Sequence, residues 1–272
     1  MEGLVNGHAL TRTVRDSAAL LDVIAGSALG DPYSMPPPRT PFLDAIAEQP
    51  ARQRILTTTA SPFPGAPTHP DVVAAVESSA RLLVEMGHHV DSGAPTFDPD
   101  VVADAIAVLH TVSNAELHAF ATGHLGREPE EDDFEPSTWV MMREGFTTTG
   151  VAYAAAIAAV HAQTRHFAAG MAAHDVLLVP TLLTPPPPYG LLNQPRGTTR
   201  KFFDVEFATT GWTTMANVTG WAAISLPLGV TSTGLPIGVQ LMSADETILL
   251  QLAAQLEVAA PWADRRPVGW IG

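Results

Sequence analysis

The stretch AAISLPLGVTSTGLPIGVQLMSADETILLQLAAQLE, residues 222–257, decides the fold of this chain. Its first part contains two apolar runs, AAISLPLGV and GLPIGVQLM, separated by TSTG, a pattern that predicts two strands joined as a hairpin. In its second part, Ser243 and Glu246 have the spacing of a capping box at the start of a helix. Leu249, Leu252 and Leu256 then recur at helical spacing. The stretch therefore predicts a β-hairpin followed by an amphipathic helix.

Upstream of this stretch, the run DVLLVP at 175–180 predicts another strand. It is apolar at nearly every position, which is typical of strands buried on both faces, so we expect it in the centre of the sheet. An Ala-rich stretch at 150–174 precedes it and predicts a long helix. The prolines of TLLTPPPPYG follow it and predict a rigid, extended loop that cannot join the interior of the sheet.

Nearer the N-terminus, the sequence predicts a strand–helix–strand unit. RILTTT at 54–59 has the β-branched content of a short strand, and THPDVVAAVESSARLLVEMG at 68–87 predicts a helix that Gly87 ends. A second short strand is predicted near Val90. Consecutive strands joined by a helix usually run parallel with a right-handed crossover.

Two further helices and one connection complete the predicted elements. Thr13 has the position of an N-cap for a helix that ends near Gly26. Another helix is predicted over 99–120. The acidic run GHLGREPEEDDFEP at 123–136, with its Gly and Pro residues, predicts a solvated connection.

Composition indicates a globular α/β protein and excludes several functions. Of the 272 residues, 46% are hydrophobic and 15% are charged, which argues against disorder. The net charge of -14 repels phosphate backbones and anionic lipid, so we expect neither a nucleic acid nor a membrane as partner. The absence of cysteine excludes disulfides, thiolate nucleophiles and cysteine-based zinc sites. Because the opening residues lack the pattern of a signal peptide, we predict a cytoplasmic protein.

The motifs of the chain resemble the C-terminal portion of the amidase signature family. They are an Asn-x-Thr-Gly turn at 217–220, the Pro-x-Ser-type strand at 222–230, GLPIGVQL, and a closing helix followed by Pro-Trp. DVLLVPT and LTRTVRDSAALLDVIAG also match the family, and GDP and PPP downstream match the bacterial amidases related to cyclic amide oligomer hydrolases. The resemblance covers nearly the whole chain and is weakest at 95–146.

This resemblance implies a fold and a chemistry. It implies an α/β fold in which helices flank a mixed β-sheet, as one partial amidase domain over 1–272 that is incomplete without its N-terminal half. The family hydrolyses carboxamides with a Ser, cis-Ser, Lys triad, in which a buried neutral lysine takes the proton of the nucleophile through the bridging serine. In the family these residues lie upstream of the matched segment. We therefore expect no catalytic residue here, and no amide hydrolysis by this chain alone.

Substitutes for the triad have simpler structural interpretations. Arg200 adjoins the only lysine, Lys201, and could lower its pKa, but the pattern favours a lysine on a surface loop. The pair Ser78 and Ser79 lies within a predicted helix and favours a solvated helix face. No G-x-S-x-G motif occurs, which excludes the nucleophile elbow of α/β-hydrolases.

Metal, cofactor and nucleotide sites are not predicted. His161 and His166 are five residues apart on a helix, off a common face, and no H-E-x-x-H motif occurs. The histidines at 88–89 are interpreted as partly exposed residues at the start of a strand. The glycines that could suggest a phosphate loop lie in the hairpin rather than before a helix, at Gly229, Gly234 and Gly238.

The resemblance also implies residues of a substrate cleft. In the family, the loop after DVLLVP and the loops around 207–220 face the catalytic region, which makes Thr181, Trp212 and Asn217 candidates for substrate binding. The alternative is structural: Trp212 belongs to the core, and Asn217 and Thr219 cap a turn.

Three functions remain open from the sequence. The chain is one part of a split amidase that acts with a complementary N-terminal amidase polypeptide, or a noncatalytic protein that binds a small carboxamide or a partner, or a truncated gene product. An independent, cooperatively folded structure argues against the third.

Overall fold

The computed structural model describes residues 4–33, 36–65, 67–192 and 197–266. Within these ranges, helices and strands alternate, which agrees with the α/β class. The order is α1(Val14–Ile24), α2(Phe42–Ala45), β1(Arg54–Thr57), α3(Pro70–Glu85), β2(His89–Ser92), α4(Pro99–Leu125), a 3-10 helix (Glu131–Asp133), α5(Pro136–Gly145), α6(Gly150–Gly170), β3(Val176–Pro180), α7(Thr199–Thr210), α8(Trp212–Thr219), β4(Ala222–Val230), β5(Pro236–Ser243) and α9(Glu246–Ala259).

The strands form a mixed sheet in the order β2-β1-β3-β5-β4. β1 runs parallel to both β2 and β3, whereas β5 runs antiparallel to β3 and β4. This arrangement confirms the parallel strand–helix–strand unit and the C-terminal hairpin. β3 lies in the centre and all five of its residues are buried, as its apolar run predicts.

Alternate residues of β3 point to opposite faces of the sheet and divide the core in two. Val176 and Leu178 pack in a cluster with apolar residues of α1, α2, α3 and α9. Leu177 and Val179 pack in a second cluster with residues of α4 to α8. Helices therefore cover both faces of the sheet, as the resemblance implies.

Local sequence signals place several helix ends. The Thr13 hydroxyl accepts a hydrogen bond from the backbone N–H of Asp16 at the start of α1, as predicted. Gly126 adopts a positive φ of 67° and ends α4, which extends to Leu125, beyond the predicted end near residue 120. A side chain at position 126 would be strained in this left-handed conformation.

The predicted capping box at Ser243 and Glu246 is wrong. Ser243 is the last residue of β5, and its hydroxyl donates to the carbonyl oxygen of Asp175 over 2.9 Å. The N-cap is Asp245, whose carboxylate accepts from the N–H of Thr247 over 2.8 Å. Pairing with Ala222 of β4 extends the strand to Ser243, so the helix starts two residues later than the capping-box spacing indicates.

Four α-helices occur where the sequence predicts loops or no regular structure: α2, α5, α7 and α8. The predicted loops around 207–220 are helical, and Lys201 is an exposed residue of α7 rather than of a loop. In α7, Phe203 and Phe207 are buried against the aromatic cluster of the core. Tertiary packing of these apolar residues outweighs the weak local propensity of the segment.

No helix of the described residues is both long enough and apolar enough to cross a membrane.

Candidate functional site

The candidate site lies where β3 ends beside the hairpin of β4 and β5. Thr181 directly follows β3, and its backbone N–H donates to the carbonyl oxygen of Gly238 in β5 over 3.1 Å. The Thr181 side chain forms a hydrogen bond with the hydroxyl of Ser225 in β4, with the two oxygens 2.6 Å apart. Residues from three consecutive strands of the sheet thus meet at one point.

Gly238 makes this contact possible. It lies between the two hydroxyl-bearing strands, and a Cβ atom at its position would lie 2.8 Å from the oxygens of both Thr181 and Ser225. Contacts this short are repulsive, so any larger residue would push the hydroxyls apart. The glycine predicted to lie in the hairpin therefore has a packing function rather than a role in a phosphate loop.

Among the described residues, no strand pairs with the outer edge of β4. In antiparallel pairs, hydrogen-bonded and non-hydrogen-bonded positions alternate along the strands. Because Gly238 bonds to Thr181, the main-chain groups of the next residue, Val239, face β4. The same alternation in β4 directs the N–H and C=O groups of Ala223 and Ser225 away from β5. Both residues are exposed, since β4 is the last strand of the sheet among the described residues.

A groove with a volume of about 850 Å³ runs beside this edge. We call it the β4 groove; its lining comprises the N-terminal segment 8–14 with Ser17, residues of β4 at 223–227 and 230, the turn at 233–236, and the C-terminal residues Trp262, Ala263, Arg265 and Arg266. The N-terminal and C-terminal segments of the chain therefore form walls of the same groove.

Hydrogen bonds hold these walls in place. The indole N–H of Trp262 donates to the carbonyl oxygen of Arg12 over 3.0 Å. The Glu257 carboxylate accepts from the N–H of Val14 at the start of α1, with both oxygens at 3.3 Å. Partial burial raises the pKa of Glu257, although the Val14 N–H opposes that change. Both walls are thus attached to elements that pack on the sheet.

Gln240 lies beside the hydroxyl pair. It is opposite Ser225 in the register of β4 and β5, and opposite Val179 in the register of β3 and β5. Its side chain is only 4% exposed, and its amide nitrogen has no hydrogen-bond partner among the described residues. Burying a hydrogen-bond donor without a partner costs roughly 1–3 kcal/mol. Gln240 is therefore an unusual polar residue on a face of the sheet that is otherwise apolar.

The structure places the three predicted substrate-binding residues in different surroundings. Thr181 lies at the hydroxyl pair with Ser225. Trp212 is 1% exposed in the core, where its indole N–H donates to the carbonyl oxygen of Ala60 over 2.9 Å. Asn217 is exposed on α8. Among the described residues, no hydrogen bond joins Trp212 or Asn217 to Thr181.

Ser225 is the site residue that sequence reasoning missed. Its signal is present in AAISLP, where Ser225 is the one polar residue among apolar ones along the strand. That pattern indicates a residue on the less buried face. It does not reveal that the partner across the sheet is a threonine 44 residues earlier in the chain.

Neither hydroxyl has the partner that a nucleophile requires. Thr181 and Ser225 bond to each other, and within the described ranges no imidazole, carboxylate or amine bonds to either one. A nucleophilic hydroxyl needs such a base within hydrogen-bond reach. The pair is suited to binding and positioning, and proton abstraction would need a group from outside these residues.

Ser79, considered as a substitute for the triad, and His88, interpreted as a partly exposed residue, both have structural contacts. Ser79 is buried, which corrects its predicted solvated position, and its hydroxyl donates to the carbonyl oxygen of Ala75 over 2.9 Å. His88 is also buried rather than partly exposed: Nδ1 accepts from the N–H of Gln53, and Nε2 bonds to the side chain of Gln255. These packing contacts account for both residues.

The two histidines considered as metal ligands, His161 and His166, are both exposed on α6. No group of three or more histidine and acidic side chains in the described part of the chain is arranged to hold a metal ion.

Two partly buried ionisable groups, His110 and Glu206, lie on the helices α4 and α7. Burial lowers the pKa of His110, although its ring nitrogen Nδ1 donates to the carbonyl oxygen of Ile106 over 3.0 Å. Burial also raises the pKa of Glu206 on α7. Neither group contacts the hydroxyl pair.

Comparisons of the sequence with known proteins find one family and several relatives. The family model described as Amidase matches residues 4–248. The chain is 33% identical over 285 residues to the 6-aminohexanoate-cyclic-dimer hydrolase of Paenarthrobacter ureafaciens, with 97% of this chain and 56% of that protein covered. It is 34% identical over 280 residues to the enzyme of the same name from Pseudomonas sp. strain NK87, with the same two shares covered.

Comparisons of the structure agree with those of the sequence. A solved 6-aminohexanoate cyclic dimer hydrolase complexed with substrate superposes with a TM-score of 0.87 at 33% identity, covering 95% of this chain and 55% of that one. A bacterial aryl acylamidase of the amidase signature family has a TM-score of 0.74 at 20% identity, over the same shares, and so shows a common fold. The chain spans little more than half the length of these proteins.

Proposed function

Because this chain belongs to the amidase family, we propose that it forms the C-terminal wall of an amide-hydrolysing active site, whose nucleophile and base come from a complementary N-terminal amidase segment. The observation that carries the proposal is the sequence match to the Paenarthrobacter ureafaciens hydrolase. This match extends over 97% of this chain but over only 56% of that protein. The strand edge of β4, open beside the hydroxyl pair, supports it, since an incomplete sheet leaves such an edge.

In this proposal, the complementary segment and this chain have different roles in the reaction. In this proposal the complementary segment supplies a nucleophilic serine, a bridging serine and a neutral lysine, which together transfer the proton of the nucleophile. This chain supplies polar groups that fix orientation, namely the hydroxyls of Thr181 and Ser225 and the amide of Gln240. Fixed polar groups contribute to rate by holding the amide in position for attack.

For a substrate, we propose a small carboxamide. The first compound to test is the cyclic dimer of 6-aminohexanoate, which the names of two relatives give as their substrate. An uncharged amide also suits the site, because neither Thr181 nor Ser225 carries a charge.

The experiment is complementation with purified proteins. This chain is mixed or co-expressed with the part of the Paenarthrobacter ureafaciens hydrolase that it does not cover, and release of amine from the cyclic dimer is measured. We expect no turnover by this chain alone and turnover by the complex. Changing the nucleophilic serine of the added segment to alanine is the matched control, and it should abolish turnover.

Two results would contradict the proposal. Hydrolysis by the pure chain would mean that it carries its own nucleophile and base. A stable complex that contains the serines and the lysine but hydrolyses neither the cyclic dimer nor simple linear carboxamides would mean that this chain does not complete an amidase site.

The second candidate is noncatalytic binding of a small carboxamide. The unpaired amide nitrogen of Gln240 favours it, because a carbonyl oxygen would satisfy this donor. Calorimetry of this chain alone with small carboxamides tests it. Saturable binding that Gln240→Leu removes is expected, and absence of saturable heat would exclude this function.

A further inference from the structure

The outer edge of β2 lies at the opposite side of the sheet from β4 and has main-chain groups that face no other strand. On the inner side, the N–H of His89 donates to the carbonyl oxygen of Gln53 over 2.9 Å. Because successive residues of a strand direct their main-chain groups to alternate sides, those of Val90 and Ser92 point away from β1. No strand of the described residues pairs with β2 on that side.

The side chains of β2 divide between the two faces of the sheet. Val90 is half-buried against the core cluster that includes residues of α3. His89 and Asp91 are two residues apart and share the other face, where their side chains are 54% and 47% exposed. Nε2 of His89 lies 3.1 Å from Oδ1 of Asp91, and Nε2 of His174 lies 3.1 Å from Oδ2. Along the strand, the edge therefore presents an imidazole, an apolar side chain and a carboxylate, in that order.

This order is complementary to itself when two copies of the strand run antiparallel. If Val90 lies opposite Val90 of a second copy, His89 lies opposite Asp91 of that copy, and the twofold symmetry repeats the pair. An imidazole donates a hydrogen bond to a carboxylate in either protonation state. A register centred on Asp91 would instead place two carboxylates directly opposite each other, which is destabilising. The side chains therefore select the register centred on Val90.

The surface beside this edge carries charges of both signs. A cavity of about 590 Å³ is lined by residues of α3, β2 and the end of β1. Its lining includes Glu77, Arg81 and Glu85, together with Val84, which is 53% exposed. A partner with charges of one sign would be repelled by part of this surface. A second copy of the chain carries the same mixture of charges, which favours it as the occupant.

We propose that this chain pairs with a second copy of itself along β2, antiparallel and centred on Val90, so that two five-stranded sheets become one. The main-chain groups of the two Val90 residues bond to each other, and His89 of each copy faces Asp91 of the other. β2 is four residues long, so the contact is small and the dimer is weak and concentration-dependent. Three strands separate β2 from β4, and this inference does not rest on the proposed function.

Cysteine cross-linking tests the register, because the sequence contains no cysteine of its own. In the register centred on Val90, positions 89 and 91 of opposite copies form a non-hydrogen-bonded pair with Cα atoms about 4.5 Å apart, a distance that a disulfide spans. Two positions 89, or two positions 91, are diagonal neighbours about 7–8 Å apart, which a disulfide does not span. We expect His89→Cys and Asp91→Cys proteins to form a disulfide dimer when mixed, with at least about tenfold less product from either protein alone.

Random collision is measured with a cysteine at an unrelated position. Glu116→Cys, at an exposed position on α4, is mixed with the Asp91→Cys protein and should give as little product as the single proteins. Circular dichroism checks that each variant is folded. Equal product in all samples, or product mainly from Asp91→Cys alone, would overturn the proposed register.

Analytical ultracentrifugation measures the association without a cross-link. Val90→Pro removes an N–H that does not bond to β1, a position at which an edge strand tolerates proline, so the chain should remain folded. The loss of the main-chain bonds between the copies should raise the dissociation constant at least about tenfold. Added salt should strengthen the association of the original chain, because it screens the repulsion between two copies of net charge -14. Sedimentation that does not depend on concentration, or that Val90→Pro leaves unchanged, would overturn the proposal.

Adding the complementary amidase segment separates this proposal from the proposed function. Cross-linking between positions 89 and 91 that persists in the complex supports pairing along β2, whether or not the complex hydrolyses amides. Loss of the cross-link on addition of the segment would mean that the segment covers β2, and it would overturn self-pairing even if hydrolysis occurs. The cross-link and the release of amine are therefore independent measurements.

Discussion

The side-chain oxygens of Thr181 and Ser225 lie 2.6 Å apart across Gly238, which separates their strands in the sheet. This contact joins the central strand region to the open edge of the sheet. The contact depends on the absence of a side chain at position 238. A larger residue there would displace both hydroxyls and separate them. The stability and the binding properties of this region can therefore be tested at a single residue.

Gly238→Ala should destabilise the protein by about 1–3 kcal/mol, because its Cβ would lie 2.8 Å from both hydroxyl oxygens. The free energy of unfolding is measured by urea denaturation. Gly123→Ala is the control, since a Cβ there meets nothing within 4 Å and Gly123 lies within α4. The control should be stabilising by roughly 0.5–1 kcal/mol, as helix propensity indicates. Equal effects of the two changes would contradict the packing role of Gly238.

Trp212→Phe should lower the free energy of unfolding by about 1–3 kcal/mol, because it removes the hydrogen bond to Ala60 and leaves space in the core. Asn217→Ala, at an exposed position of the neighbouring helix, should stay within about 0.5 kcal/mol of the original protein. Thermal and urea unfolding of both variants checks this. A stable Trp212→Phe protein with weakened carboxamide binding would instead support the cleft role that the family resemblance implies.

Gly145→Ala should prevent α5 from packing on α4. A Cβ at Gly145 would overlap the backbone oxygen of Thr111, and backbone cannot move as a flexible side chain does. We expect a loss of about 3 kcal/mol or more, seen as a large decrease in the urea midpoint. Gly150→Ala, at the start of α6 with open space around its Cβ, should change stability little.

Acidification should destabilise the protein through His110. Burial lowers its pKa below 6.5 in the folded state, so the unfolded chain binds the proton more tightly. The stabilising contribution of neutral His110 is therefore fully present above pH 6.5 and is lost as the pH falls through its lowered folded-state pKa. His110→Phe should reduce the slope of stability against pH in this window, measured by urea unfolding at a series of pH values.

Much of the fold follows from short patterns in the sequence. The apolar run at β3 predicts a buried central strand, and five consecutive buried residues confirm it. The strand–helix–strand unit and the C-terminal hairpin were equally visible, because each depends on neighbours in the chain. The motifs around GLPIGVQL also indicated the family, which the comparisons confirm.

Other features depend on contacts between distant parts of the chain. α5 and α7 have weak local signals and form because Met142 and Phe207 are buried in the core. Ser243 belongs to a strand rather than a cap because it pairs with Ala222 of β4 and its hydroxyl donates to the carbonyl oxygen of Asp175. Such contacts override local propensity, which a single sequence cannot reveal.

The sequence by itself determined the family, the α/β class and the central strand, since each depends on residue identity and local spacing. Only the tertiary structure decided that Thr181 meets Ser225, that Trp212 lies in the core, and that the two ends of the chain enclose a groove beside β4. The physical reason is that strand register and packing bring together residues far apart in sequence, and no local pattern encodes which of them meet.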